Sequence, residues 1–95
     1  MRTALSKNRD ITPDDSREVD NDGIVKLLRA LGFVQASIDA DGMRLIYVFS
    51  RTETQKVFGD ILGNRPIMVE WKKYLDAEEE WKTTLSILKE LRGRK

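Results

Sequence analysis

The chain has 95 residues, of which 40% are hydrophobic and 35% charged, and 17 basic and 16 acidic side chains leave a net charge of +1. This length suits one small domain, and the nearly balanced charge provides no global attraction to nucleic acid. The chain contains neither cysteine nor histidine, which excludes disulfides, thiolate zinc sites and the commonest general base. It lacks an apolar run of about 18 residues and a signal-peptide core, so a cytoplasmic protein with no membrane partner is expected.

The first sixteen residues are polar, have no sustained hydrophobic period and include Pro13. Residues 1–16 are therefore predicted to form a flexible leader, followed by a single α+β domain at 17–95. Within the domain, Ser16 to Val19 are predicted to form a short extended piece ahead of the first helix.

The first helix is predicted from Asp22 to Leu31. Asp20, Asn21 and Asp22 are all suitable N-cap residues, and the apolar positions that follow step by three and one along a single face. Gly32 stands where a left-handed helix stop is needed. The apolar face consists of Ile24, Leu27, Leu28 and Leu31.

A β-hairpin is predicted over residues 33–50. The runs FVQASID and MRLIYVF flank Ala40-Asp41-Gly42, and Asp-Gly is one of the strongest short signals for a hairpin. The second run has apolar side chains on both faces, because Ile46 and Val48 lie opposite the alternating larger residues. It is therefore predicted to be a central strand covered on both sides.

The second helix is predicted from Glu53 to Leu62, after a capping box formed by Thr52 and Gln55. Pro66 prevents its continuation. Residues 67–69 are predicted to be either a short third strand or an extended entry to the last helix. The side chains expected to be buried on the second helix are Val57, Phe58, Ile61 and Leu62.

The final segment, about residues 70–92, has three- and four-residue apolar steps and predicts a helix about 30 Å long, comparable to the width of the domain. Its far end is therefore expected to overhang or to pack on something else. The predicted fold is α+β, in the order helix, β-hairpin, helix, short strand and long helix, with an antiparallel sheet covered by helices.

The final helix also carries an acidic cluster, which is interpreted as a solvated face. Consecutive helical residues point about 100° apart, so neighbouring carboxylates do not converge on one metal ion. No motif supplies a catalytic residue, a metal site or a cofactor site, and a non-enzymatic protein is predicted. The cluster consists of Asp76, Glu78, Glu79 and Glu80.

The two tryptophans leave two interpretations open. Both could pack on the hairpin and the first helix, or one could anchor a protein partner or a second copy of the chain. A homodimer through the last helix would bury its C-terminal leucines. The candidate partner-binding residues are Trp71, Trp81, Leu85, Leu88 and Leu91.

The alternative function is weak, salt-dependent nucleic-acid binding. The exposed aromatic residues that platform-type binding requires are missing from the hairpin, and cations at a helix C-terminus also complement the helix dipole. The candidate nucleic-acid contacts are Arg44, Arg51, Lys89, Arg92, Arg94 and Lys95.

The order of these segments resembles a family of short uncharacterised proteins, a domain of unknown function found in bacteria, archaea and their phages. The similar segments within residues 17–90 are KLLRALGF, LIYVF, SRTETQKVFGDIL and NRPIMVE. The leader is longer here, and the last helix is extended by about two turns. The resemblance implies no activity or catalytic residue, but it implies a phage or mobile-element context in which small proteins act by binding a macromolecule.

Overall fold

The computed structural model describes residues 2–93. Over this range the chain forms an α+β domain, with one four-stranded antiparallel sheet and three α-helices. The strands are β1 (Arg2–Lys7), β2 (Ser16–Val19), β3 (Ser37–Asp41) and β4 (Arg44–Ser50). The helices are α1 (Asp22–Ala30), α2 (Arg51–Leu62) and α3 (Trp71–Gly93), and a single 3-10 turn, Pro13–Asp15, precedes β2.

The predicted hairpin is confirmed as β3 and β4, which occupy the centre of the strand order β1-β3-β4-β2. Asp41 pairs with Arg44, so only Gly42 and Met43 form the loop. Gly42 has a φ of 63°, in the left-handed region that a two-residue hairpin turn requires at this position and that glycine adopts without strain.

The sheet also contains a strand where a flexible leader was predicted. That prediction is wrong for residues 2–7, because they form β1 and pair antiparallel with β3 at one edge of the sheet. An edge strand buries little, and here only Leu5 packs against the core, at a bulge between Ala4 and Ser6. Its polar sequence therefore gives no sign of its pairing. The predicted extended piece before α1 is confirmed as β2, which pairs with β4.

One face of the sheet packs against the helices and forms the hydrophobic core. Helices α1 and α3 contribute fully buried apolar side chains, whereas α2 contributes the fully buried Thr54 and the partly buried Val57 and Phe58. The core residues from the strands are Val19, Ile38, Ala40, Leu45, Tyr47 and Phe49, and those from the helices are Val25, Leu28 and Leu88.

The opposite face of β4 is also buried, as its two-sided apolar pattern predicted, with Ile46 only 4% and Val48 only 8% exposed. The cover on this face includes a side-chain bridge. Arg2 Nη1 lies 2.8 Å from Glu18 Oε2 on one side of β4, and Arg2 Nη2 lies 2.8 Å from Asp39 Oδ2 on the other. Because Asp39 pairs with Ile46 and Glu18 with Val48 in the ladders, the Arg2 guanidinium reaches across the apolar centre of this face.

Helix α1 begins and ends as its sequence predicts. The Asn21 side chain accepts a hydrogen bond from the backbone nitrogen of Ile24 at 3.1 Å, which satisfies a free donor in the first turn. After the helix, Gly32 has a φ of 98°. The sequence therefore located this helix to within one residue of its observed end at Ala30.

Helix α2 begins two residues earlier than predicted, because Ser50 rather than Thr52 is its N-cap. Ser50 Oγ accepts from the backbone nitrogen of Glu53 at 3.2 Å and itself donates to Asp15 Oδ2 at 2.6 Å. The Thr52 hydroxyl and backbone nitrogen both donate to Asp15 Oδ1, at 2.6 and 2.9 Å. These hydrogen bonds from Ser50 and Thr52 stabilise the carboxylate and lower the pKa of Asp15 to about 2.

The connection between α2 and α3 contains no strand in the described chain. Residues 67–69 are outside the sheet ladders, so the extended entry is the correct one of the two predicted possibilities. The last helix is confirmed, and it begins at Trp71, directly after this connection.

Candidate interaction surface

Helix α3 is held to the domain by one part of its length. Ala77 and Leu88 are 4% and 1% exposed. Lys26 of α1 lies with its Nζ 4.8 Å from the centroid of the Trp81 ring, a cation–π contact. Beside it, Arg29 of α1 donates to Glu80 Oε1 at 2.8 Å and Oε2 at 3.1 Å. Residues 77–88 of α3 are thus the part attached to the core.

Most of the predicted partner residues lie in this attached part of α3. Leu88 is a core side chain, so its prediction as a partner contact is wrong for the folded domain. Trp81 and Leu85 pack against the same core, which is the packing interpretation rather than the partner interpretation. Trp71 and Leu91 remain open to solvent, with 69% and 51% of their surface exposed.

Large apolar side chains are exposed on both sides of the α2–α3 connection. The predicted burial of Leu62 on α2 is therefore wrong, and Met68 has no predicted role. The four residues, which we call the α2–α3 apolar surface, are Leu62 (84% exposed), Met68 (89%), Trp71 (69%) and Leu75 (40%).

The path of the chain after α2 explains why Met68 is exposed. Asn64 has a φ of 54°, and the Arg65 side chain turns back to Asp60, with Nε 2.9 Å from Oδ1. The chain between Asn64 and α3 then has no regular secondary structure, and the burial of its side chains alternates. Ile67 and Val69 are half-buried, so Met68 between them faces solvent. No short-range sequence signal distinguishes Met68 from its two neighbours.

Trp71 is exposed, but one face of its ring contacts a neighbouring aromatic side chain. Its ring stacks on that of Tyr74, with centroids 6.0 Å apart and an angle of 13° between the planes. The stack restrains one face of the indole and leaves the rest of the ring accessible. A side chain restrained in this way loses less conformational entropy when a partner covers it.

Two of the candidate nucleic-acid contacts, Arg44 and Arg92, are already paired within the domain. Arg44 lies 3.1 Å from Asp20 and 3.8 Å from Asp41, and Arg92 Nε donates to the carbonyl oxygen of Gly42 at 3.2 Å. Both side chains are thus engaged near the hairpin turn, where acidic groups balance the positive charge.

Of the remaining candidates in the described chain, Lys89 lies one turn from Arg92 on α3, whereas Arg51 is far from both. Arg51 begins α2 at the opposite end of β4 from Arg44, about 20 Å away along the strand. Lys89 is exposed on α3. Arg94 and Lys95 lie outside the described residues, so their predicted contact has no structural counterpart here.

A groove of about 480 Å³ lies beside the attached part of α3, lined by residues that include Gln35, Tyr47, Glu80 and Thr84. Burial raises the pKa of the Tyr47 hydroxyl, so it stays protonated at neutral pH and is suited to hydrogen bonding rather than to removing a proton. Among residues 2–93 no three histidine, cysteine, aspartate or glutamate side chains are placed to hold a metal ion together. In the same range, each helix is too short or too polar to cross a membrane.

Comparisons of the chain with protein-family models, with curated proteins and with solved structures gave no match. The resemblance to a family of uncharacterised phage and prokaryotic proteins therefore stays a prediction.

Proposed function

We propose that this chain is a non-enzymatic protein–protein interaction module that binds its partner through the α2–α3 apolar surface. The observation that supports the proposal is the exposure of Trp71, 69% open and stacked on Tyr74, with Leu62, Met68 and Leu75 exposed in the same part of the chain. Exposed apolar patches mark interaction sites, and tryptophan is enriched among the residues that dominate binding energy.

Of the predicted partner-binding residues, only Trp71, at the N-terminal end of α3, belongs to this surface. Ile87 and Leu91 are also exposed, each by 51%, but they form a pair one turn apart and have no aromatic neighbour among the exposed large side chains. They serve as controls with similar chemistry on the same helix.

The proposed module acts in the cytoplasm, without a cofactor. Nucleic-acid binding is the less supported function, because Arg44 and Arg92 already have partners within the domain and Arg51 lies far from both. A dedicated phosphate-binding surface would require several uncommitted cations close together.

The test is site-specific photo-crosslinking in the cells that naturally make the protein. A photoreactive phenylalanine analogue replaces Met68 in one chain and Ile87 in a matched control chain. We expect a discrete crosslinked species from position 68 and none from position 87. The yield from position 68 should fall strongly when Trp71→Ser is added.

Equal labelling from positions 68 and 87 would mean that crosslinking reports exposure alone and would contradict the proposal. An unchanged yield after Trp71→Ser would contradict it too, since Trp71 is the anchor proposed for the surface. Circular dichroism establishes that each variant retains the helical content of the parent chain.

A further inference from the structure

Helix α3 carries several exposed charged side chains that form no ion pair within the domain. Glu78 and Glu80 pair with cations of α1, at 3.7 and 2.8 Å. Within residues 2–93, Glu79, Asp76 and Lys72 have no ion-pair partner. Charged groups without a partner on an otherwise well-paired helix are available to a binding protein.

The spacing of these charges places them on one side of α3. Lys72 and Glu79 are seven residues apart, which is about 10 Å along the axis and about 20° around it. Leu75 lies between them, within about 60° of each. Ala77, which is buried against the domain, points about 160° away from Glu79. Lys72, Leu75 and Glu79 therefore form a stripe on the outward side of the helix.

This stripe is complementary to itself when two copies of α3 lie antiparallel. If a two-fold axis passes between positions 75 and 76, Lys72 of each copy lies opposite Glu79 of the other. Leu75 of both copies then meets near the axis, between the two ion pairs. In a parallel arrangement Lys72 would face Lys72 instead, so charge selects the antiparallel orientation.

Resting on the proposed function, we propose that the partner of this surface is a second copy of the chain, bound antiparallel through the outward side of α3 around Leu75. The contact is isologous, because the same residues are used on both copies. It gives the α2–α3 apolar surface a specific occupant and gives Lys72 and Glu79 their partners.

The first turn of α3 supplies an independent reason for this arrangement. It contains Lys72 and Lys73 and no acidic residue, although the positive end of a helix dipole favours acidic groups there. Lys73 is paired with Glu70 at 3.8 Å, which leaves Lys72 uncompensated. In the antiparallel dimer the carboxylate of Glu79 from the second copy reaches this position.

The apolar residues add buried area on both sides of the axis. Trp71 and Leu75 lie one turn apart on α3 and within about 40° of each other. A tryptophan buries about 150–250 Å² when it is covered, so two copies contribute several hundred Å². Stable interfaces bury about 1,200–2,000 Å² in total, so the two tryptophans supply only part of such an area and a weak dimer is expected.

Sedimentation equilibrium of the full chain over a wide concentration range tests the proposal by a charge exchange. The variants are Lys72→Glu, Glu79→Lys and the combination of the two. Each single change brings two like-charged pairs together, and we expect it to raise the dimer dissociation constant about tenfold or more. The combination restores opposite charges across the axis and should return the constant to within about threefold of the parent value.

A matched pair of apolar variants locates the contact on the helix. Leu75→Ser should weaken the dimer at least as much as the single charge changes, whereas Ile87→Ser should leave it unchanged. The effect of Lys72→Glu cannot arise from unfolding, because an acidic residue in the first turn favours the helix. Circular dichroism checks the other variants.

A parent chain that stays monomeric at every concentration would overturn the dimer. So would a dimer that the charge exchange does not restore, since association would then use another face. Crosslinking from Met68 separates this failure from failure of the proposed function. A crosslink to a different protein, with the chain monomeric, overturns the dimer alone, while no crosslink and no dimer contradicts both.

Discussion

The two tryptophans of α3 lie ten residues apart on the same helix, yet one is part of the domain and the other is on its surface. Trp81 packs against the core beneath Lys26, whereas Trp71 is 69% exposed. The two helices differ in length. Helix α3 has 23 residues and is about 34 Å long, whereas α1 has 9 residues and is about 13 Å long, so α1 can cover only part of α3. Apolar spacing can continue along a helix beyond the neighbour that covers it.

The largest expected difference between the two ends is in stability. Leu88→Ala removes a fully buried side chain from the core and should lower the free energy of unfolding by about 2–5 kcal/mol. Leu75→Ala, at a 40% exposed position on the same helix, should change it by about 0.5 kcal/mol or less. Urea denaturation at low protein concentration measures both. Similar losses in the two variants would show that the N-terminal end of α3 is also part of the core.

A smaller effect is expected from the polar attachment between α1 and α3. Arg29→Ala removes the hydrogen bonds to Glu80 and one to the carbonyl oxygen of Phe33, and should cost about 1 kcal/mol. Lys82→Ala removes only an exposed ion pair with Glu78 at 3.6 Å, and should cost about 0.5 kcal/mol or less. If the two variants unfold at the same urea concentration, Arg29 does not help to attach α3.

Acid is expected to act at α2, the other helix that carries part of the apolar surface. The folded pKa of Asp15 is about 2, below its ordinary value of 3.8, so its contribution to stability is complete above about pH 4 and is lost as the pH falls towards 2. The protection factors of the amides in the first turn of α2, which are corrected for the intrinsic pH dependence of exchange, should therefore fall over this range before those of residues 77–88.

The matched variants for this acid effect are Asp15→Asn and Asp14→Asn, its exposed neighbour. Asp15→Asn should make α2 exchange faster at neutral pH and should flatten the dependence between pH 4 and pH 2. Asp14→Asn should behave like the parent chain. A parent-like profile for Asp15→Asn would show that the stability of the first turn of α2 does not depend on the Asp15 carboxylate.

The smallest expected effect on stability is that of replacing Trp71, and the comparison of the two tryptophans is made by fluorescence. Trp81→Phe leaves Trp71 as the only indole, and Trp71→Phe leaves Trp81. In dilute solution acrylamide should quench Trp71 much more steeply than Trp81, because quenching follows exposure. As protein concentration rises, quenching of Trp71 should decrease if the proposed dimer covers it. Equal quenching in the two variants would remove the distinction between the two ends of α3.

Local signals were sufficient to predict most of the helices and the hairpin. Asn21 and Gly32 mark the ends of α1, and the Asp-Gly pair marks the turn between β3 and β4, because each of these effects acts within a few residues. The apolar pattern of β4 also predicted that both of its faces are buried.

Features that depend on distant residues were not predictable in the same way. Strand β1 is polar and is defined only by its pairing with β3, thirty or more residues later in the chain. The N-cap at Ser50 depends on Asp15, which is 35 residues away, whereas the predicted cap at Thr52 used a purely local pattern. Exposure of Trp71 depends on which part of α3 the rest of the domain covers, and no local sequence pattern marks it.

The order of the strands has a consequence for how the domain assembles. The two central strands, β3 and β4, are joined by a two-residue loop and can pair without closing a long stretch of chain. Both outer strands come earlier in the sequence and must wait for a central strand, at an entropic cost that grows with the intervening length. We therefore expect the hairpin to form first and to recruit β1 and β2 onto its two edges. Arg2 then bridges Glu18 and Asp39 only when both edges are in place, so this ion-pair bridge should be one of the last contacts to form.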